Sequence, residues 1–167
     1  MTSNAVDPQT ADREVEMAWF VNKPTDVSAE DVSAYMAQGV WTSPNPSGHR
    51  DAIAKVQPGD RIACKSVTTQ RRDLPFVAVD RVASVMTIYG TGTVQAVDAN
   101  AGRIDIKWRA YDEPRPWYFW TAFRSIWRVD ASTWMGRQLL GVTFGDTGQD
   151  INRFLNQSFW KDRYAPQ

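Results

Sequence analysis

Apolar and polar positions along this chain fall into short runs whose period changes at clusters of glycine, proline and asparagine. Ala18-Trp-Phe-Val-Asn22 is a brief apolar run of strand length. Residues 25–38 then carry Val27, Val32, Tyr35 and Met36 at helical spacing, with Ser28 and Asp31 as a capping pair and Gly39 as the stop. A short helix is predicted over 51–56, and Pro58-Gly-Asp60 is a turn into a strand at 61–66. Residues 67–73 form a polar loop, closed by Leu74-Pro-Phe76. Strands follow at 82–89 and 92–97, with Gly90 and Gly92 marking a bulge or bend. Residues 98–102 make a hairpin turn into a strand at 103–108, where Ile104 and Ile106 alternate with polar neighbours. Pro114-Arg-Pro116 is a break. After it, Trp117-Tyr-Phe-Trp120 and Ile126-Trp-Arg-Val129 are strands, and 134–140 and 149–159 close the chain as helices.

Five to seven short strands with helices at the ends predict an α+β fold, a small mixed β-barrel flanked by short helices. No repeat or interdomain linker divides the chain. Residues 1–15 are polar and predict a mobile leader; residues 16–164 predict one domain.

Composition sharpens this picture in three places. Eight tryptophans are more than one small core needs, which points to a recognition role for one or two of them. The lone Cys64 lies in an apolar strand pattern and predicts a small buried hydrophobe in a reducing, cytoplasmic setting. Net charge is zero, yet residues 1–33 hold seven acids and two bases while residues 34–128 hold thirteen bases and eight acids. A local basic face on the middle of the chain is therefore one reading, and ordinary surface charge behind an acidic leader is the other.

Chemistry that breaks bonds needs a nucleophile, a base or a metal. His49 is the only histidine and has no evident partner, so it predicts loop packing. Asp112 and Glu113 are adjacent and diverge; no Walker loop is present, and no His, Cys, Asp and Glu spacing suggests a metal. The expectation is a protein without catalytic residues, metal or cofactor. Binding is better supplied. Trp41 follows Gly39 and precedes Thr42, Ser43 and Asn45, which places a flat ring beside small hydrogen-bonding groups on a predicted polar loop. A base taken out of its stack is held in that way, by rings on its faces and hydrogen bonds on its edge. The alternative for Trp41 is packing at a helix end. Lys65, Arg71 and Arg72 flank the 61–66 strand and its loop, where they could meet phosphates or stay solvated.

Several of these segments together resemble a known group. Trp19-Phe-Val-Asn-Lys23, Gly39-Val-Trp41 with the helix ending at Val56, and Gly59-Asp-Arg-Ile-Ala-Cys-Lys-Ser66 resemble EVE domains of the PUA-like superfamily. The tryptophan step and following helix are also similar to YTH domains, which read methylated adenine in RNA. Leu74-Pro-Phe76, Val85-Met-Thr-Ile88, Gly92-Thr-Val94, Trp117–Trp120, Ile126–Val129 and Gln149-Asp-Ile151 extend the resemblance towards the EVE-like domain of McrB-type AAA restriction subunits, over roughly residues 17–160.

That resemblance implies a PUA-like barrel whose aromatic pocket accepts a flipped, modified base, with Trp41 as one wall. It implies double-stranded DNA carrying a methylated or hydroxymethylated base as partner, and an AAA motor and nuclease subunit beside it in a restriction or defence system. Two alternatives stay open: an RNA-binding module for modified or structured RNA, and a nucleoside-processing enzyme of the ASCH type. The loop at 98–102 is shorter than the one that carries the second cage tryptophan in YTH domains, so another aromatic must serve. Phe76, Trp117 and Trp120 are candidates. Because the pair Tyr118 and Trp120 carries the polar-tipped ring, Tyr118 or Trp120, rather than Trp117, is expected to lie near Trp41, with Phe76 next in line.

Overall fold

The computed structural model describes residues 14–79 and 81–167. Most of the leader expected over residues 1–15 thus lies outside the described residues. The first strand, β1 (Met17–Asn22), is followed by a 3-10 turn at Ala29–Asp31 and helix α1 (Val32–Ala37). Three-residue β2 (Val40–Thr42) leads to α2 (Pro46–Ala54) and long β3 (Arg61–Gln70). Short β4 (Phe76–Ala78) precedes two sixteen-residue strands, β5 (Ala83–Asp98) and β6 (Arg103–Tyr118). The chain closes with β7 (Ile126–Asp130), α3 (Trp134–Phe144), α4 (Ile151–Leu155), α5 (Ser158–Lys161) and β8 (Tyr164–Pro166).

Six strands form one mixed sheet in the order β2-β6-β5-β3-β1-β7, and β4 pairs with β8 apart from it. β1 and β3 run parallel, joined by a crossover through α1, β2 and α2, and the other pairs are antiparallel. The result is an α+β fold built on a curled, partly open sheet with short helices around it.

The two glycines read as a bulge do not split a strand. β5 runs through them, with register shifts between Ile88 and Gly90 and between Val94 and Ala96. A Cβ on Gly90 would meet the Arg109 carbonyl oxygen at 2.5 Å, so the neighbouring backbone comes close only because no side chain intervenes. The prolines at 114 and 116, expected to break the chain, lie inside β6. Beyond its short pairing with β2, β6 is an edge strand, the place where proline costs no ladder bond.

The sheet buries apolar side chains on both faces. Phe20, Met86, Ile88, Trp117, Leu139 and Phe154 belong to the larger cluster, closed over by α3 and α4. On the other side Trp19, Val21, Trp41, Ile53, Ile62, Ile104 and Ile106 pack under α2. A smaller group of Val32, Met36, Cys64 and Tyr89 lies under α1. Helix α2 starts earlier than its apolar pattern suggests because Asn45 caps it, accepting from the Gly48 N–H at 3.2 Å, with Pro46 in the first turn.

Candidate ligand pocket

A hollow of about 770 Å³ opens where the end of β1 and the segment after it, β2, the middle of β3 and the 119–125 loop converge. Its floor holds two nearly covered rings, Trp41 at 1% exposure and Tyr89 at 7%. Its rim holds Phe123, which is 65% exposed. Thr42, Ser66 and Thr68 bring hydroxyls and Asp26 a carboxylate to the same space. The Tyr89 hydroxyl is 2.7 Å from Ser66 Oγ, so the polar tip of one wall is tied to a hydroxyl that also lines the hollow. Concave, mostly apolar walls with a few polar groups are the usual make-up of a site for a small planar ligand.

The walls hang on one residue pair. In the parallel ladder, Asn22 stands opposite Lys65. Every polar group of Asn22 is engaged. Its backbone N–H donates to the Ser125 carbonyl at 3.0 Å, and its own carbonyl accepts from Trp41 Nε1 at 3.0 Å. Its Nδ2 donates to the Phe123 carbonyl at 3.0 Å, and its Oδ1 accepts from Lys65 Nζ at 2.6 Å. Lys65 Nζ donates further to the Ala122 carbonyl at 2.8 Å and the Arg124 carbonyl at 2.9 Å. Three acceptors thus saturate the three donors of an ammonium group that has no exposed surface. Burial brings the Lys65 pKa down to about 8, opposed by neighbouring Cys64, whose own thiol burial pushes up to about 12. At that value the thiol is an inert member of the core.

Several sequence expectations change against this geometry. Trp41 stands on a strand, paired with Ile104, and packs in the core under α2; it does not sit on a polar loop. Lys65 is no phosphate ligand, because all its donors are spent inside the protein. Thr42 lines the hollow, but Ser43 and Asn45 are used to start α2. Ser43 Oγ lies 2.6 Å from His49 Nδ1 and accepts from the Asn45 N–H at 3.1 Å.

Phe76, Tyr118 and Trp120 lie with the other core cluster, away from Trp41. Phe76 is buried against the edge of Tyr118, with ring centroids 5.7 Å apart, and Trp120 packs on Trp127 at 5.0 Å. The alternation argument fails because β6 ends at Tyr118 and Phe119 turns the chain with φ +74°, so both side-chain pairs settle on one core. Arg71 and Arg72 are exposed on the turn after β3, the strand that lines the hollow with residues 66–68.

Tyr89 and Phe123 are the aromatic walls that sequence reasoning missed. Tyr89 looked like any strand residue, and Phe123 fell between predicted elements. The usable signal was Lys65 itself, a cation in the apolar run Ile62-Ala-Cys-Lys65, which has to find acceptors if that strand is buried.

A second hollow of about 740 Å³ lies over β6 and the end of α3. Its cations Arg61, Lys107, Arg109 and Arg115 are interleaved with Asp112, Glu113 and Asp146, so it favours neither sign strongly. Arg115 is already committed there, donating to the Val142 carbonyl at 2.7 Å and the Gly145 carbonyl at 2.8 Å at the end of α3. Among the described residues no group of three His, Cys, Asp or Glu side chains could hold a metal ion, and no helix is long and apolar enough to cross a membrane. No protein-family model matches the chain, and no curated protein matches it.

Proposed function

We propose that this chain is a nucleic-acid-binding module that receives a modified base, turned out of DNA, in the hollow between Trp41, Tyr89 and Phe123. The observation that carries the reading is the hollow itself: three rings of different strands and loops around one space, with hydroxyls and a carboxylate at the edge. A nucleobase needs a flat apolar slot and hydrogen bonds on one edge, and a methyl group added to it needs extra apolar surface. Asp26 is suited to accept from an exocyclic amino group, as carboxylates do from cytosine N4. Arg71 and Arg72, exposed beyond the hollow's β3 wall, are the candidates for backbone phosphate. The PUA-like family resemblance supports the same reading. On that resemblance, cleavage or translocation belongs to a separate motor and nuclease, and this chain supplies recognition only.

The test is a binding panel. Duplexes carrying 5-methylcytosine, 5-hydroxymethylcytosine, N4-methylcytosine or N6-methyladenine are compared with the unmodified duplex and with modified RNA. The reading expects one modified DNA to bind more tightly than its unmodified control, with affinity falling as salt rises. A preference for RNA would move the partner to the 2′-hydroxyl-bearing strand. Equal binding of all probes, or none, would remove the base-recognition role.

A further inference from the structure

Phe123 combines two properties that rarely coincide. Its ring is largely in water, yet the backbone that carries it is hydrogen-bonded on both sides. From 120 to 125 each residue has a hydrogen-bonded anchor. The Trp120 carbonyl accepts from Trp117 Nε1 at 2.7 Å, and Thr121 Oγ1 lies 2.6 Å from Ser84 Oγ. The Ala122 and Arg124 carbonyls accept from buried Lys65, and the Phe123 and Ser125 carbonyls from Asn22. At the start of the loop, Phe119 holds a left-handed φ of +74°, which a bulky side chain adopts only under strong constraint. Its ring is fixed between Phe76 at 4.5 Å and Phe154 at 5.8 Å, centroid to centroid.

A buried lysine and a fully engaged asparagine thus hold the Phe123 backbone at the mouth of the hollow, with its ring projecting into water. The comparison with Phe159 is instructive. That ring is also exposed, at 59%, but the guanidinium of Arg163 covers it at 4.3 Å. Among the described residues, no aromatic ring or guanidinium packs on Phe123.

We infer that Phe123 is a wedge: an exposed apolar ring on an anchored backbone that enters the duplex at the position the turned-out base leaves, while the base occupies the hollow beside it. This rests on the base-recognition reading and specifies how a duplex is opened. Proteins that unstack DNA do so with apolar side chains of this kind, inserted between base steps. A ring on a mobile loop would cost loop ordering as well as side-chain rotamers on insertion, whereas a ring on an anchored loop costs only its side-chain rotamers. Trp41 and Tyr89 cannot do this, because both are nearly covered on the floor.

The test uses the full chain and its Phe123→Ala variant, whose fold is checked by circular dichroism. Each modified duplex of the panel is compared with the same modified strand alone, with 2-aminopurine next to the modified base to report unstacking. A single strand has no stack to breach. The wedge therefore predicts that F123A weakens duplex binding on the order of tenfold more than it weakens single-strand binding, and abolishes the 2-aminopurine signal, because the ring serves the single strand only as a pocket wall. Equal weakening of both forms would overturn the wedge and leave Phe123 as a plain wall of a valid base pocket. Unchanged duplex binding would overturn it as well. If the unaltered chain binds no modified strand in either form, the base-recognition reading fails and the wedge with it.

Discussion

Lys65 Nζ lies 2.6 Å from Asn22 Oδ1, and through this pair of a buried lysine and a half-buried asparagine the floor and the rim of the hollow are tied together. Asn22 holds the Trp41 indole with its carbonyl and the Phe123 backbone with its amide, while Lys65 holds the two carbonyls that flank Phe123. Parallel pairing of β1 with β3 in a single register brings the two side chains together.

Replacing Lys65 with Met keeps the volume but leaves three partly buried acceptors without their donor. We expect a loss of stability of about 1–3 kcal/mol and faster amide exchange confined to residues 119–125. Hydrogen exchange read by mass spectrometry checks this. Exchange unchanged in that loop would mean that the lysine does not secure it.

Lys65 also sets a pH dependence. The unfolded chain keeps this proton up to about pH 10.5, whereas the folded chain, which buries the charge, releases it near 8. Between these values the unfolded state binds more protons, so this group makes the protein more stable as pH rises from about 8 towards 10. From about pH 9 the buried Cys64 opposes it, and above 10 the buried Tyr111 as well, because both folded pKa values are pushed up to about 12 and the unfolded thiol and phenol ionise first. Denaturant midpoints measured across this range should rise and then fall. In K65M the rising limb should be missing; a rising limb that survives would assign it to another group.

Trp41→Ala is expected to cost about 3–5 kcal/mol of stability, because the ring is 1% exposed in a packed cluster and leaves a cavity. Chemical denaturation measures it. A loss below about 1 kcal/mol would mean that the ring is not packed as described. Tyr89→Phe is the gentler probe of the floor, since it removes only the hydroxyl bonded to Ser66.

Arg71 and Arg72 are exposed, so neutralising either leaves the fold alone. Each change should weaken modified and unmodified duplexes alike and make the salt dependence shallower by about one unit of slope. Fluorescence anisotropy at several salt concentrations reads this. An effect restricted to the modified duplex would make the arginine a reader of the base.

The period of the apolar runs was enough to find β1, the turn into β3, the hairpin at 98–102 and β7, because those signals are local. The continuity of β5 through Gly90 and of β6 through Pro114 and Pro116 was not legible, because it depends on which strand is an edge. For the candidate site, Trp41 and Thr42 both line the hollow, although Trp41 is a strand residue and not part of a polar loop. Tyr89 and Phe123 join it only through the β1–β3 register and the loop that Lys65 secures, and no spacing along the chain encodes those.

The central claim is that the ligand enters between Trp41, Tyr89 and Phe123, and chemical-shift mapping tests it most directly. The isotope-labelled chain is titrated with the duplex carrying N6-methyladenine and then with the 5-methylcytosine duplex. The account predicts that, with one of them, the largest shifts fall on the Trp41 indole N–H and on the amides of Asn22, Thr42, Ser66 and Phe123, beyond those the unmodified duplex causes. Shifts that cluster instead on Arg61, Lys107 and Arg109, or that are the same for modified and unmodified DNA, would contradict it.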